Sequence, residues 1–136
     1  MMQTVIDSKT DNRSGFGWET KTTLKLIETD PNNFGINYDV DYKTGGLFGS
    51  WKHISGGPVK NLGNGSWVVN DSPKVTVIVS NYSVDSGQQL ISMHVKIDVD
   101  VPVVGTVTIY DQTLGGRYGI DNLKELVAHI SNAGQK

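Results

Sequence analysis

The chain has 136 residues, a formal net charge of -2 and 19% charged residues. This length suits a single domain, residues 1–136, with a real core, and the balanced charge argues against a nucleic-acid partner. The absence of cysteine excludes a disulfide-stapled fold. No apolar signal segment opens the chain, and no apolar run approaches the roughly 18 residues that a membrane span needs, so we expect cytoplasmic synthesis without a signal peptide.

The first half of the chain contains two segments in which apolar and polar residues alternate. Residues 18–27 and 34–42 each place apolar side chains and threonines at every second position, which is typical of a half-buried strand. The sequence Asp30-Pro31-Asn32-Asn33 separates them, and proline is favoured at the second position of a turn. The two segments therefore predict a β-hairpin, and residues 4–6 predict a short strand before it.

The middle of the chain is richer in glycine. A third strand candidate covers residues 47–54, and residues 55–66 read as a glycine-rich loop. A short strand at 67–69 follows, then a turn around Pro73 and a strand at 74–82.

The longest alternation runs from Leu90 to Tyr110. Its odd positions are apolar from Ile91 to Val101, which predicts one face in a core and the other in water. A flat strand of this length would overhang a compact domain of this size. We therefore expect a long curved hairpin, or a strand with a corner, bent at Pro102 and Gly105.

The last segment changes period. Apolar residues at positions 123, 126, 127 and 130 follow the spacing of one helical face, so residues 122–131 predict an amphipathic helix. Together the patterns predict a mainly β fold. It is a single antiparallel, curved-sheet or sandwich-like domain of about six to eight strands, with the C-terminal helix packed on the sheet.

Few residue patterns point to chemistry. The histidines, His53, His94 and His129, are far apart and lack a zinc-binding context; for His94 and His129 we expect surface positions. Nucleotide-loop and nucleophile-elbow motifs are also missing. These absences do not exclude an enzyme, because catalytic triads assemble in space. We expect a non-enzymatic protein without a cofactor, and an enzyme is the third hypothesis.

Two Asp-x-Asp pairs are candidate calcium ligands. Asp39 with Asp41, and Asp98 with Asp100, each direct two carboxylates to one side of a strand. Either pair would bind calcium with the help of a third ligand. The alternative is that both pairs simply form the solvent side of an alternating strand, since no calcium-binding loop accompanies them.

Aromatic residues provide the candidate ligand-binding set, which would line a sugar or lipid site. Aromatic residues that alternate in a strand are more often core, and for Trp51 we expect a core anchor rather than the lining of an apolar groove. The candidate ligand-binding residues are Tyr38, Tyr42, Phe48 and Trp51.

The segment LFGSWKHISGGPVKNL, residues 47–62, resembles a strand-and-turn segment of the TULIP-type OrfX accessory proteins encoded beside clostridial neurotoxin genes. The matching positions are Phe48, Trp51, Ile54, Gly56 and Gly57. The resemblance implies a curved sheet around a helix and a non-catalytic role. It also implies lipid, or another protein of a toxin-like assembly, as the partner, with release alongside partner proteins. The second hypothesis is a carbohydrate-binding β-sandwich, which should show exposed aromatics beside polar loops.

Overall fold

The computed structural model describes residues 4–46 and 49–119, which form two four-stranded antiparallel sheets. The strands are β1 (Thr4–Gly15), β2 (Trp18–Asp30), β3 (Asn33–Thr44), β4 (Lys52–Val59), β5 (Gly65–Asp71), β6 (Lys74–Asp85), β7 (Leu90–Val101) and β8 (Gly105–Arg117).

Within each sheet, every strand pairs with the strand that precedes or follows it in the chain. The first sheet has the order β1-β2-β3-β4, the second has the order β5-β6-β7-β8, and residues 60–64 connect them. The mainly β, antiparallel class expected from the sequence is therefore confirmed. The helix expected at residues 122–131 lies outside the described residues.

The two sheets share one hydrophobic core. The alternation expected in β2, β3 and β7 is confirmed, because the apolar positions of these strands are buried and the positions between them are mostly more exposed. Burial of each large aliphatic side chain contributes about 1.5–3 kcal/mol, so these rows hold the sheets face to face. The fully buried core side chains include Leu24, Leu26, Ile36, Met93, Val95, Ile97, Ile109, Tyr110 and Leu114.

β1 is longer than the sequence indicated, and β4 lies further along the chain than expected. β1 continues to Gly15, because β2 supplies its backbone partners while its polar residues face solvent. The hydroxyls of Thr10 and Thr23 also form a hydrogen bond of 2.8 Å between these two strands. The expected glycine-rich loop begins later, since residues 55–59 belong to β4. A Cβ at Gly56 would lie 2.5 Å from the Tyr38 hydroxyl, so this glycine lets the strand pass close to the ring.

Because neighbouring strands are antiparallel, the turns fall at two ends of the sandwich. One end, which we call the upper end, contains the turns at 16–17, 72–73 and 102–104 and the end of β3 at Thr44. The lower end carries the turns at 31–32 and 86–89 and the connection at 60–64. The bend expected at Pro102 and Gly105 is a tight hairpin turn, in which the Val104 amide donates to the Val101 carbonyl at 3.2 Å.

Side chains link β1 to β8 along one side of the sandwich. The Asp7 carboxylate accepts from the Gly115 amide at 3.0 Å, and Asp11 accepts from the Asp111 amide at 3.2 Å. The Tyr110 hydroxyl donates to the Lys9 carbonyl at 3.3 Å, and burial raises the pKa of this phenol. These contacts satisfy polar groups at an edge that has no further strand to pair with.

At the lower end, a buried carboxylate holds two chain segments together. The two oxygens of Glu28 accept from the Asn32 amide at 3.1 Å and from the Gly119 amide at 3.0 Å. Next to Gly119, the Tyr118 ring packs edge-on against Phe34 with a centroid separation of 4.9 Å. The chain is thereby attached to the β2–β3 turn directly after it leaves β8.

Candidate functional site

The aromatic residues proposed as ligand-binding do not form one site. Tyr38 lies on the inner side of β3, where its hydroxyl donates to the Val69 carbonyl at 3.3 Å. Tyr42 lines a small pocket between the sheets. Trp51 is 53% exposed, so the expectation that it anchors the core is wrong. Phe48 lies outside the described residues.

The pocket between the sheets is too small for a ligand. It lies at the upper end and has a volume of about 30 Å³. One water molecule needs at least about 10–15 Å³ of such space, so the pocket has room for about two. The pocket joins the ends of several hairpins, since it is lined by Trp18, Thr44, Pro73 and Pro102. No space for an acyl chain or a sugar ring is present here, so any ligand of this region binds on the outside.

The hairpin tips of the upper end expose large apolar side chains. Phe16, in the β1–β2 turn, is 98% exposed. Val103, in the β7–β8 turn, is fully exposed, and Val104 beside it is 50% exposed. The shared pocket lining, which includes Trp18 and Pro102, places these two hairpin ends on the same end of the molecule. We call Phe16, Val103 and Val104 the apolar tips.

The backbone at one of these tips is strained. Val103 has a φ of 72°, a left-handed conformation that a β-branched residue rarely adopts. It follows Pro102 at the turn position where glycine is normally required. The conformation costs about 1–3 kcal/mol and exposes an apolar side chain, so this valine does not serve stability.

Trp51 borders a separate depression on the outer surface of the first sheet. The depression has a volume of about 320 Å³ and is open to solvent. It offers an aromatic surface together with several hydrogen-bonding groups. It is lined by Asn12, Arg13, Ser14, Glu19, Thr20, Lys21 and Trp51.

On the same outer face, β3 and β4 bring together Asp39, Asp41 and His53. Asp41 and His53 are direct cross-strand partners, and Asp39 is two residues along β3 on the same side. The imidazole Nδ1 lies 2.5 Å from an Asp41 oxygen, and Nε2 lies 3.0 Å from an Asp39 oxygen. The hydrogen bond to Asp41 is the main cause that raises the pKa of His53. Desolvation, which lowers this pKa, comes second, and the negative charges of Asp39 and then Asp41 raise it further.

Sequence reasoning found the two aspartates but not the histidine that joins them. The useful signal was the cross-strand register, because His53 and Asp41 lie on consecutive strands at positions that face each other. The expected strand at residues 47–54 already contained His53, but its register against β3 was not predicted.

The carboxylates of the second Asp-x-Asp pair already accept hydrogen bonds from the neighbouring strand β8. Asp98 and Asp100 accept from the hydroxyls of Thr108 and Thr106 at 2.8 and 2.7 Å. They form the polar side of the β7–β8 hairpin, as the alternative interpretation expected. His94 lies on the same polar face in contact with the Asp111 carboxylate. His129 lies outside the described residues.

Within residues 4–46 and 49–119, no helix has the length and apolar character needed to cross a membrane. Comparison with known proteins gives no match: no protein-family model, no curated protein and no solved structure is similar to this chain.

Proposed function

We propose that this chain is a non-enzymatic binding protein that docks its upper end onto a lipid surface. The observation that carries the proposal is the pair of fully or almost fully exposed side chains, Phe16 and Val103, at neighbouring hairpin tips. Large apolar side chains that cluster at one end of a domain mark interaction sites, whereas singly scattered ones do not. Lipid is the occupant that we favour, because the tips project from turns instead of forming a flat or grooved surface.

The strain at Val103 supports this proposal. A glycine at this turn would be more stable and less apolar, so the valine trades stability for an exposed hydrophobic group. Strained residues of this kind tend to occur at functional sites.

Charged side chains of both signs surround the apolar tips. Lys43, Lys52 and Lys74 lie at the upper end, and none of them forms an ion pair within the described part of the chain. Each lysine near an anionic membrane contributes about 1 kcal/mol of binding free energy. Glu19, Asp71 and Asp100 lie at the same end and equal these lysines in number, so the apolar tips alone carry the proposal.

The test is vesicle co-sedimentation with phosphatidylcholine vesicles that contain phosphatidylglycerol. We expect the wild-type protein to bind these vesicles. The double variant Phe16→Asn, Val103→Gly should lose at least about tenfold in affinity, because the apolar area that inserts into the lipid is lost. Val103→Gly also relieves the strained turn, so we expect it to raise the free energy of unfolding by about 1 kcal/mol. If the double variant binds lipid more weakly although its fold is more stable, the weaker binding comes from lost contact with lipid and not from unfolding.

The matched control is Val84→Thr. Val84 is 41% exposed but lies near the lower end of β6, so this variant should bind vesicles like the wild type. If the wild type does not sediment with vesicles, or if Val84→Thr weakens binding as much as the tip variant, the lipid proposal fails.

A role beside other proteins in a toxin-like assembly is the second part of this proposal. It is supported by the resemblance of residues 47–62 to the OrfX segment. A partner chain would also use the apolar tips, so the same double variant should lose the partner. Neighbouring toxin or OrfX-like genes would favour this role, and metabolic neighbours would count against it.

Glycan binding is the second candidate function, and the Trp51 depression favours it. An exposed indole beside asparagine, arginine and glutamate offers one apolar face and several hydrogen-bonding groups to a sugar ring. Trp51→Ala should abolish binding on a glycan array, while the tip variant should leave it unchanged. An array on which wild-type protein and Trp51→Ala give the same signals would remove this candidate.

A further inference from the structure

The cluster of Asp39, Asp41 and His53 has the composition of a metal site. Their potential ligand atoms all lie within 4.8 Å of one another, and among the described residues this is the cluster that combines three such groups. Both nitrogens of one imidazole face carboxylate oxygens. A neutral imidazole has a single N–H, so one of these two contacts requires either a second proton or another cation.

The distances indicate where that cation fits. Zinc binds nitrogen and oxygen at about 2.0–2.1 Å with tetrahedral geometry, so two ligands on one ion are about 3.3–3.4 Å apart. The separation of His53 Nε2 and the Asp39 oxygen is 3.0 Å, so these two atoms need to move apart by only about 0.3–0.4 Å to share one ion. The contact between Nδ1 and Asp41, at 2.5 Å, is a short hydrogen bond. It matches the arrangement in which a carboxylate holds a metal-bound histidine by its second nitrogen.

We propose that Asp39 and His53 bind a divalent transition-metal ion of the zinc type on the outer face of the first sheet. His53 supplies Nε2, Asp39 supplies a carboxylate oxygen, and waters complete the coordination. Asp41 accepts the Nδ1 proton and is a positioning residue that fixes the ring orientation and the tautomer. This site is separate from the apolar tips and does not depend on the proposed lipid binding.

The chemistry of the ligands selects the class of ion. Calcium and magnesium prefer oxygen ligands, whereas imidazole suits zinc, copper and nickel. The surroundings are polar: Lys21 and Thr23 of β2 lie in register with Asp41 and Asp39, and Ser55 of β4 lies in register with Asp39. Lys21 is therefore a positively charged neighbour of the proposed metal site. Among the described residues it forms no ion pair with Asp41.

The test is isothermal titration calorimetry of the full, untagged chain with zinc chloride. We expect the wild type to bind one zinc ion per chain. His53→Ala should give little heat of zinc binding, and Asp41→Asn should bind zinc about 10- to 100-fold more weakly. Excess calcium should leave the zinc titration unchanged. Because all three side chains are on the surface, the variants should keep the thermal melting temperature of the wild type.

The matched control is His94→Ala. His94 contacts a single carboxylate, that of Asp111, and the Thr113 hydroxyl, so its removal should leave zinc binding intact. The proposal is overturned if the wild type takes up no zinc at millimolar concentration. It is equally overturned if His94→Ala reduces zinc binding as much as His53→Ala, or if calcium competes equally with zinc.

Discussion

Replacing Ile97 with alanine should lower the free energy of unfolding by about 2–5 kcal/mol, because it removes buried methyl groups and leaves a cavity. Ile97 is completely buried in the middle of β7, between its cross-strand partners Val77 and Tyr110. Strands pair on both sides of this position and the opposite sheet covers it, so the neighbouring side chains have little freedom to fill the space. Urea denaturation followed by circular dichroism measures the change.

The matched control lies on the other side of the same strand. Ser92 faces solvent, so Ser92→Ala should change the free energy of unfolding by less than about 0.5 kcal/mol. If Ile97→Ala had an effect as small as this control, the two sheets would not share a packed core.

Removing the Glu28 carboxylate should also destabilise the fold strongly. Glu28→Ala leaves the amides of Asn32 and Gly119 without their acceptor. The Gly119 amide is buried, and a buried donor left unpaired costs about 1–3 kcal/mol, whereas the part-buried amide of Asn32 adds less. Glu28→Gln keeps one good acceptor oxygen, so we expect its cost to be intermediate. Urea denaturation gives the order of stabilities, wild type above glutamine above alanine.

Hydrogen exchange adds a local readout for Glu28. In Glu28→Ala the amides of Asn32 and Gly119 should exchange faster, while the amide of Ile97 in the core should follow only the change in global stability. Glu19→Ala is the control, since Glu19 is exposed on the outer face of the same strand. Equal stability of Glu28→Ala and Glu19→Ala would contradict the role assigned to Glu28.

The parts of the fold that the sequence predicted well are those where burial alone sets the pattern. In β7 every second residue from Ile91 to Val101 is buried, so period-two alternation identifies the strand and its inner face. Pro102 then marks the turn. The long β1 and the second half of β4 were missed, because polar and glycine residues carry no such pattern and their strand structure comes from pairing with β2 and β3.

The candidate sites were less predictable for a related reason. Alternation assigns Asp39 and Asp41 to one face, but it cannot supply their cross-strand neighbour, because register depends on where the adjoining strand starts. Trp51 precedes β4, where the alternation has not yet begun, so its exposure did not follow from the pattern. The apolar tips were missed because Phe16 and Val103 lie in turns, where periodicity gives no information.

The order of the strands has a consequence for biosynthesis. Residues 4–59 form one sheet and residues 65–117 form the other, so the chain completes the first sheet before any strand of the second leaves the ribosome. During that interval Leu24, Leu26 and Ile36 have no opposing layer, and the nascent half presents an uncovered apolar surface. The first sheet can therefore cover this surface only after the strands of the second sheet have been synthesised.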